Sequence, residues 1–153
     1  HININKENTF VPDGKADNPE EFCIEYDKKI KSYGGVDIQV LGIGSNGHIA
    51  FNEPNEELSV GTCIVNLTKE TIDANSRFFD SIDEVPKTAI TMGIGSILKA
   101  KKIILLASGK NKARVIKEIL NNGKLTTKLP ASLLLLHDDV TFIVDESAYS
   151  EMR

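Results

Sequence analysis

The stretch Leu41-Gly42-Ile43-Gly44-Ser45-Asn46-Gly47-His48-Ile49-Ala50-Phe51-Asn52-Glu53-Pro54 decides how the rest of the sequence is read. An apolar, β-branched run, Val36-Asp37-Ile38-Gln39-Val40-Leu41, leads into it and predicts a buried strand. Gly42, Gly44 and Gly47 follow closely. Glycine at that density lets the backbone turn sharply and approach a ligand. Asn46, His48 and Glu53 bring an amide, an imidazole and a carboxylate into the same turn. In open α/β sheets, ligands bind just beyond the carboxyl ends of strands. A polar trio placed there is a candidate for proton-transfer chemistry.

Working outward, the segment before this strand predicts a loop over residues 1–16 and then a helix. Asn18 is its cap, Pro19 its first residue, and Glu20 and Glu21 lie in its first turn. Phe22, Tyr26, Ile30 and Tyr33 form one apolar stripe, read as core packing, and Gly34-Gly35 ends the helix. Beyond the central turn, Pro54 to Glu57 is a polar loop and Thr62 to Leu67 a strand. Thr68 caps a helix expected to run to about Phe79, with Thr71 three residues on in a weak version of the capping pattern. Thr88 to Met92 predicts a strand, and Ile94 to Ala100 a helix entered through Gly93 and Gly95. Lys102 to Ala107 is a strand broken by Gly109. Asn111 to Leu120 is a helix with Ala113, Ile116 and Leu120 on one face, stopped by Asn121-Asn122-Gly123. Pro130 opens a short apolar helix through Leu136, Val140 to Val144 is a last strand, and Glu146 to Met152 a last helix. Strands alternating with helices mean α/β with a largely parallel sheet.

The 153 residues suit one domain, 1–153, with a real core. Hydrophobic residues make up 41% and charged residues 26%, ordinary for a soluble globular protein. The net charge is −4 and no Lys/Arg run is dense, which argues against a nucleic-acid partner. No apolar stretch approaches the roughly 20 residues that span a bilayer, so no membrane partner is expected. The opening His1-Ile2-Asn3-Ile4-Asn5 is polar and unlike a signal peptide. Cys23 and Cys63 lack metal-ligand spacing, so the expected setting is reducing and cytoplasmic, with no metal.

Each candidate side chain has a bland reading beside the chemical one. A loop histidine is often structural, but Glu53 is close enough to His48 to hold one ring nitrogen and fix its tautomer. A histidine so held can pass a proton to or from a bound ligand. Asn46 can bond His48 or simply take a left-handed turn conformation, which asparagine tolerates. Lys110, Lys112 and Arg114 crowd the start of a helix, where the dipole disfavours cations. A bound phosphate explains that crowding; a solvated surface is the alternative, and is preferred for Lys110 and Arg114. His137 is read as a helix C-terminal residue next to Asp138 and Asp139, and Asp145 as a helix cap.

The block Gly42-Ile-Gly-Ser-Asn-Gly-His-Ile-Ala-Phe-Asn-Glu-Pro54 resembles the signature of the glucosamine-6-phosphate deaminases, also called glucosamine-6-phosphate isomerases. The resemblance continues in order through Ala74-Asn-Ser-Arg-Phe-Phe79, Val85-Pro-Lys87, Thr91-Met-Gly-Ile-Gly95, Ser108-Gly-Lys-Asn-Lys112 and Leu129-Pro-Ala-Ser132. It implies a Rossmann-like, mostly parallel sheet flanked by helices, lacking its N-terminal elements. It also implies conversion of glucosamine 6-phosphate and water to fructose 6-phosphate and ammonia, in amino-sugar and N-acetylglucosamine catabolism. By the resemblance His48 is the acid/base for ring opening, Glu53 orients it, and Asn46 stands where aspartate is common. Gly42, Gly44, Gly47, Arg77 and Lys112 are then substrate-binding, with Lys112 on the phosphate. No cofactor is implied, the partner is a small sugar phosphate, and a homo-oligomer is left open. The family's phosphate loop and enolising acid are not found in residues 1 to 40, so the 153-residue chain alone is expected to be inactive. Two alternatives remain: a sugar-phosphate-binding sensor on the same fold, and a 6-phosphogluconolactonase, against which Phe51-Asn52-Glu53-Pro54 argues.

Overall fold

The computed structural model describes residues 2–152; His1 and Arg153 lie outside the described residues. The first helix, α1 (Pro19–Ser32), starts as its sequence predicts, with the Asn18 side chain accepting from the Glu21 amide. It ends at Gly34 and Gly35, both at positive φ. Its apolar stripe is not core, however. Phe22, Tyr26 and Ile30 are half-buried and Tyr33 is exposed, whereas Cys23 is the buried residue of the helix. The reason is that α1 lies at the periphery and turns its stripe toward the N-terminal segment. There Phe10 packs on Tyr33 at 5.4 Å and the Lys29 ammonium sits 3.7 Å above the Phe10 ring.

The remaining elements are β1 (Ile38–Gly42), β2 (Cys63–Asn66), α2 (Lys69–Asn75), β3 (Thr88–Thr91), α3 (Ile94–Ile97), β4 (Lys102–Ala107), α4 (Ala113–Asn122) and β5 (Val140–Val144). The strands β1, β4 and β5 form one parallel sheet in the order β1-β4-β5. This is the α/β, Rossmann-like, mostly parallel sheet with flanking helices that the sequence predicts. β2 and β3 form a separate antiparallel pair, with Cys63 opposite Thr91 and Asn66 opposite Thr88.

Successive side chains of a strand point to opposite faces, and the register turns that rule into a core. Leu41 lies opposite Leu105, and Leu105 opposite Phe142. These residues, with Ile103 and Ala107, pack against Val115, Ile116 and Ile119 of α4, Ile97 of α3 and Leu134. The other face carries Ile38, Val40, Leu106 and Ile143, all exposed.

Several segments differ from expectation, among them the helix from Thr68, which ends at Asn75 and gives way to a 3-10 turn over Ser76–Phe78. Helix α3 stops at Ile97 rather than Ala100: the Ala100 amide donates to the Ile97 carbonyl at 3.1 Å, a tighter turn, and the chain then turns into β4. Residues Lys110–Lys112 form a 3-10 turn, so α4 begins at Ala113 and is closed by Gly123 in the left-handed conformation. Its buried face is Ala113, Val115, Ile116 and Ile119; Leu120 falls on the rim at 37% exposure. After β5 there is a turn and a 3-10 helix, Ser150–Met152, in place of the expected helix. Asp145 starts that turn by accepting from the Ala148 amide at 2.7 Å.

Candidate active site

The turn after β1 is built by its glycines. The Gly44 amide donates to the His48 carbonyl at 2.9 Å, and the Gly47 amide to the Gly44 carbonyl at 3.1 Å. A Cβ on Gly44 would sit 2.4 Å from the His48 ring, so the imidazole lies flush against this backbone. Gly47 adopts φ +87°, and a Cβ there would also strike Leu129. Gly42 shows no such constraint: its Cβ would meet open space. Among the described residues the left-handed non-glycine residue is Ala50 at φ 51°, not Asn46.

This turn brings Asn46, His48 and Glu53 into direct contact. Glu53 Oε2 accepts from Asn46 Nδ2 at 2.8 Å and lies 3.1 Å from His48 Nδ1. Asn46 Oδ1 in turn accepts from the His48 amide at 3.2 Å. A carboxylate only accepts hydrogen bonds, so Nδ1 carries the proton and Nε2 is the basic nitrogen. The Glu53 side chain is 10% exposed and that of His48 23%, so the bond is sheltered while the ring still reaches the cleft. The loop that carries Glu53 is pinned to the end of β3. The Phe51 amide donates to Thr91 Oγ1 at 3.1 Å, and buried Asn52 donates through Nδ2 to the Ile49 and Met92 carbonyls.

The second oxygen of Glu53 is held from α2. Thr71 Oγ1 donates to Oε1 at 2.5 Å, and Thr68 Oγ1 stands 3.5 Å from the same atom. The sequence reading treated this Thr68-x-x-Thr71 pair only as a helix cap, which it also is: Thr68 Oγ1 accepts from the Thr71 amide. Two hydroxyls on one face at a helix start were the available signal.

A cleft of about 600 Å³ opens beside the trio, lined among others by Gly44, Asn46, His48, Thr71, Asn111 and Lys112. Lys112 therefore arrives at the site from the end of β4. It is half-buried and has no carboxylate within 4.0 Å among the described residues. Burial holds its ammonium below the ordinary lysine range. A desolvated cation facing a cleft is a receptor for an anion. Lys110 is exposed and Arg114 pairs with Glu118 at 2.9 Å, so both belong to the solvated surface. Arg77 is exposed with its guanidinium 4.7 Å from the Phe78 ring, and it does not line the cleft.

The loop before Lys112 is anchored by Asp145. Its carboxylate accepts from Ser108 Oγ at 2.6 Å and from the Gly109 amide at 3.0 Å. The Ser108 hydroxyl and the Ala148 amide hold Asp145 below the usual carboxylate range. His137 stands apart from the cleft. Its Nε2 donates to Ala100 and its Nδ1 accepts from the Asp139 amide, so it engages backbone rather than the neighbouring acids. A larger cavity of about 680 Å³ beside α1 holds Asp27. That carboxylate is already bonded to Thr62 and Ser96, and the cavity brings no acid–base trio together.

Comparison with known proteins follows the same lines. Residues 1–143 match the family described as glucosamine-6-phosphate isomerases/6-phosphogluconolactonase. The chain is 60% identical over 148 residues to a glucosamine-6-phosphate deaminase of Clostridium perfringens strain 13, covering 97% of this chain and 61% of that protein. It is 57% identical over 150 residues to the corresponding deaminase of Halothermothrix orenii, covering 98% of this chain and 62% of that one. Among solved structures, a monomeric glucosamine-6-phosphate deaminase superposes with a TM-score of 0.88 at 48% identity, covering 93% of this chain and 58% of that one. A 6-phosphogluconolactonase from Trypanosoma cruzi gives 0.59 at 28% identity, covering 87% and 52%. The chain thus spans about three-fifths of the length of the curated relatives it matches.

Proposed function

This chain belongs to the glucosamine-6-phosphate isomerase/6-phosphogluconolactonase family, and on that premise we propose that it acts in deamination of glucosamine 6-phosphate. The overall reaction takes glucosamine 6-phosphate and water to fructose 6-phosphate and ammonia. The observation that carries the reading is one cleft lined by His48 and Asn46, with Glu53 bonded behind the imidazole, and by the desolvated Lys112. Lys112 takes the phosphate. His48 Nε2 takes the proton of the anomeric hydroxyl as the C1–ring-oxygen bond breaks, and returns it to the ring oxygen. Glu53 and Asn46 hold the imidazole for that exchange. Isomerisation and loss of the amine follow on the open chain, and we assign no residue of this chain to the carbon-to-carbon proton transfer. The two free thiols, Cys23 and Cys63, suit a cytoplasmic setting.

Deaminase is favoured over lactonase by similarity, 60% identity to a named deaminase against 28% to a named lactonase. The test is ammonia release from glucosamine 6-phosphate by the full-length protein, beside hydrolysis of 6-phosphogluconolactone. His48→Gln should lower kcat by about 10²–10⁴-fold. Turnover of the lactone and not of the amino sugar would overturn the reading.

A further inference from the structure

We propose that Thr71 is a positioning residue of the acid–base apparatus, acting on His48 through Glu53; this rests on the role given to His48 above. Four contacts define the arrangement. Glu53 Oε2 is shared by Asn46 Nδ2 and His48 Nδ1, and Oε1 is taken by Thr71 Oγ1 at 2.5 Å with Thr68 Oγ1 3.5 Å away. The torsion that orients a glutamate carboxylate is broad and has little preference of its own. Bonds on Oε2 alone leave the group free to swing about that point. A donor on Oε1 fixes its plane, and with it the line from Oε2 to Nδ1.

Thr71 is suited to that task in three ways. It is 5% exposed at the wall of the cleft, so it is largely shielded from bulk water. Its one proton has a single charged acceptor, and hydrogen bonds to charged groups are short and strong. Its own acceptor side takes the Thr68 hydroxyl at 3.2 Å, so the direction of the chain of donors is set: Thr68 to Thr71 to Glu53. The backbone is equally constrained, because the Thr71 amide is the capping donor to Thr68 and the Thr71 carbonyl accepts from Asn75 Nδ2 at 2.8 Å. The carboxylate is thus clamped between two elements, the β1 turn on one oxygen and the start of α2 on the other.

The consequence is chemical. With Glu53 fixed, His48 is held with Nδ1 protonated, and Nε2 is always the nitrogen presented to the cleft. Once the carboxylate can swing, the ring populates the other tautomer as well. In that tautomer Nε2 carries the proton and cannot accept one from the anomeric hydroxyl.

The experiment uses 15N-histidine labelling and kinetics together, on the full-length protein carrying Thr71→Val, Thr71→Ser or Thr71→Ala, and loss of one resonance in His48→Gln assigns the signal. The parent protein is expected to show the single Nδ1–H tautomer at His48. Thr71→Val and Thr71→Ala should show a mixture, and kcat should fall about tenfold with KM nearly unchanged, the size expected for one hydrogen bond to a charged group. Thr71→Ser should restore both tautomer and kcat. A merely structural Thr71 would lower Tm while leaving the tautomer alone. An unchanged single tautomer in folded Thr71→Val or Thr71→Ala overturns the inference whatever the rates do. Failure of the parent to release ammonia would instead strike at the deaminase reading, and the tautomer would still decide the role of Thr71.

Discussion

At the residue scale, Lys112 exposes a conflict between stability and function. Its ordinary value is 10.5, and burial beside the cleft lowers it. The unfolded chain therefore binds the proton more tightly than the folded one between the lowered value and 10.5. Below that window the ammonium is charged in both states and the full burial cost stands. Across the window stability rises with pH as the cost fades. Substrate binding should run the other way, since a phosphate needs the charged amine: KM should climb as pH rises through the same window. Lys112→Met should raise the Tm of the ligand-free protein and also raise KM roughly ten- to a hundredfold, with a smaller effect on kcat. Thermal melts with and without inorganic phosphate, beside KM against pH, check both halves. An unchanged KM would place the phosphate elsewhere. The Asn46–His48–Glu53 trio was legible in the sequence because its members lie within one turn of chain. Thr71 was not, since its bond to Glu53 depends on where α2 lands, and no local pattern encodes that.

At the scale of elements, Asp145 joins the end of β5 to the loop leaving β4. It accepts from Ser108 and Gly109 on one side and Ala148 on the other. These bonds need the ionised carboxylate, which is why its affinity for a proton is depressed. The stability they supply is present above the ordinary value of 3.8 and is lost as pH falls through the depressed one. Asp145→Ala should therefore lower Tm at neutral pH and weaken phosphate binding by loosening the approach to Lys112. The difference from the parent should vanish in strong acid. Melts from pH 7 down to about 2 read this out, and a Tm gap that persists in acid would rule it out. Strand positions such as Lys102–Ala107 and Val140–Val144 were readable because short β-branched runs between breakers have few alternatives. The antiparallel pairing of β2 with β3 was not, because strand direction depends on how the chain returns. The face of α4 was off by one residue because Ile119 and Leu120 are equally apolar, and only packing against β4 chooses between them.

For the whole molecule, the decisive feature is the asymmetry of the sheet. One face is buried under α3 and α4, and the other carries Ile38, Val40, Leu106 and Ile143 at 57%, 56%, 46% and 52% exposure. β1 also leaves one edge of its ladder unpaired among the described residues. Contiguous apolar surface beside an open strand edge favours association. The 153-residue chain is expected to self-associate in sedimentation velocity, and Val40→Lys with Ile143→Lys should shift it toward a single slow species. A compact monomer at every concentration would refute this.

The closeness of His48 and Glu53 along the chain has a kinetic meaning. Their contact closes a short loop through a turn already bent by glycine, so its entropic cost is small and it can form early. Lys112 and Thr71 reach the cleft only when distant elements dock, and they must come late. On gentle denaturation the order reverses. Anion binding and the Thr71 clamp are expected to be lost first, and the His48–Glu53 bond to follow once Phe51 and Asn52 leave the end of β3.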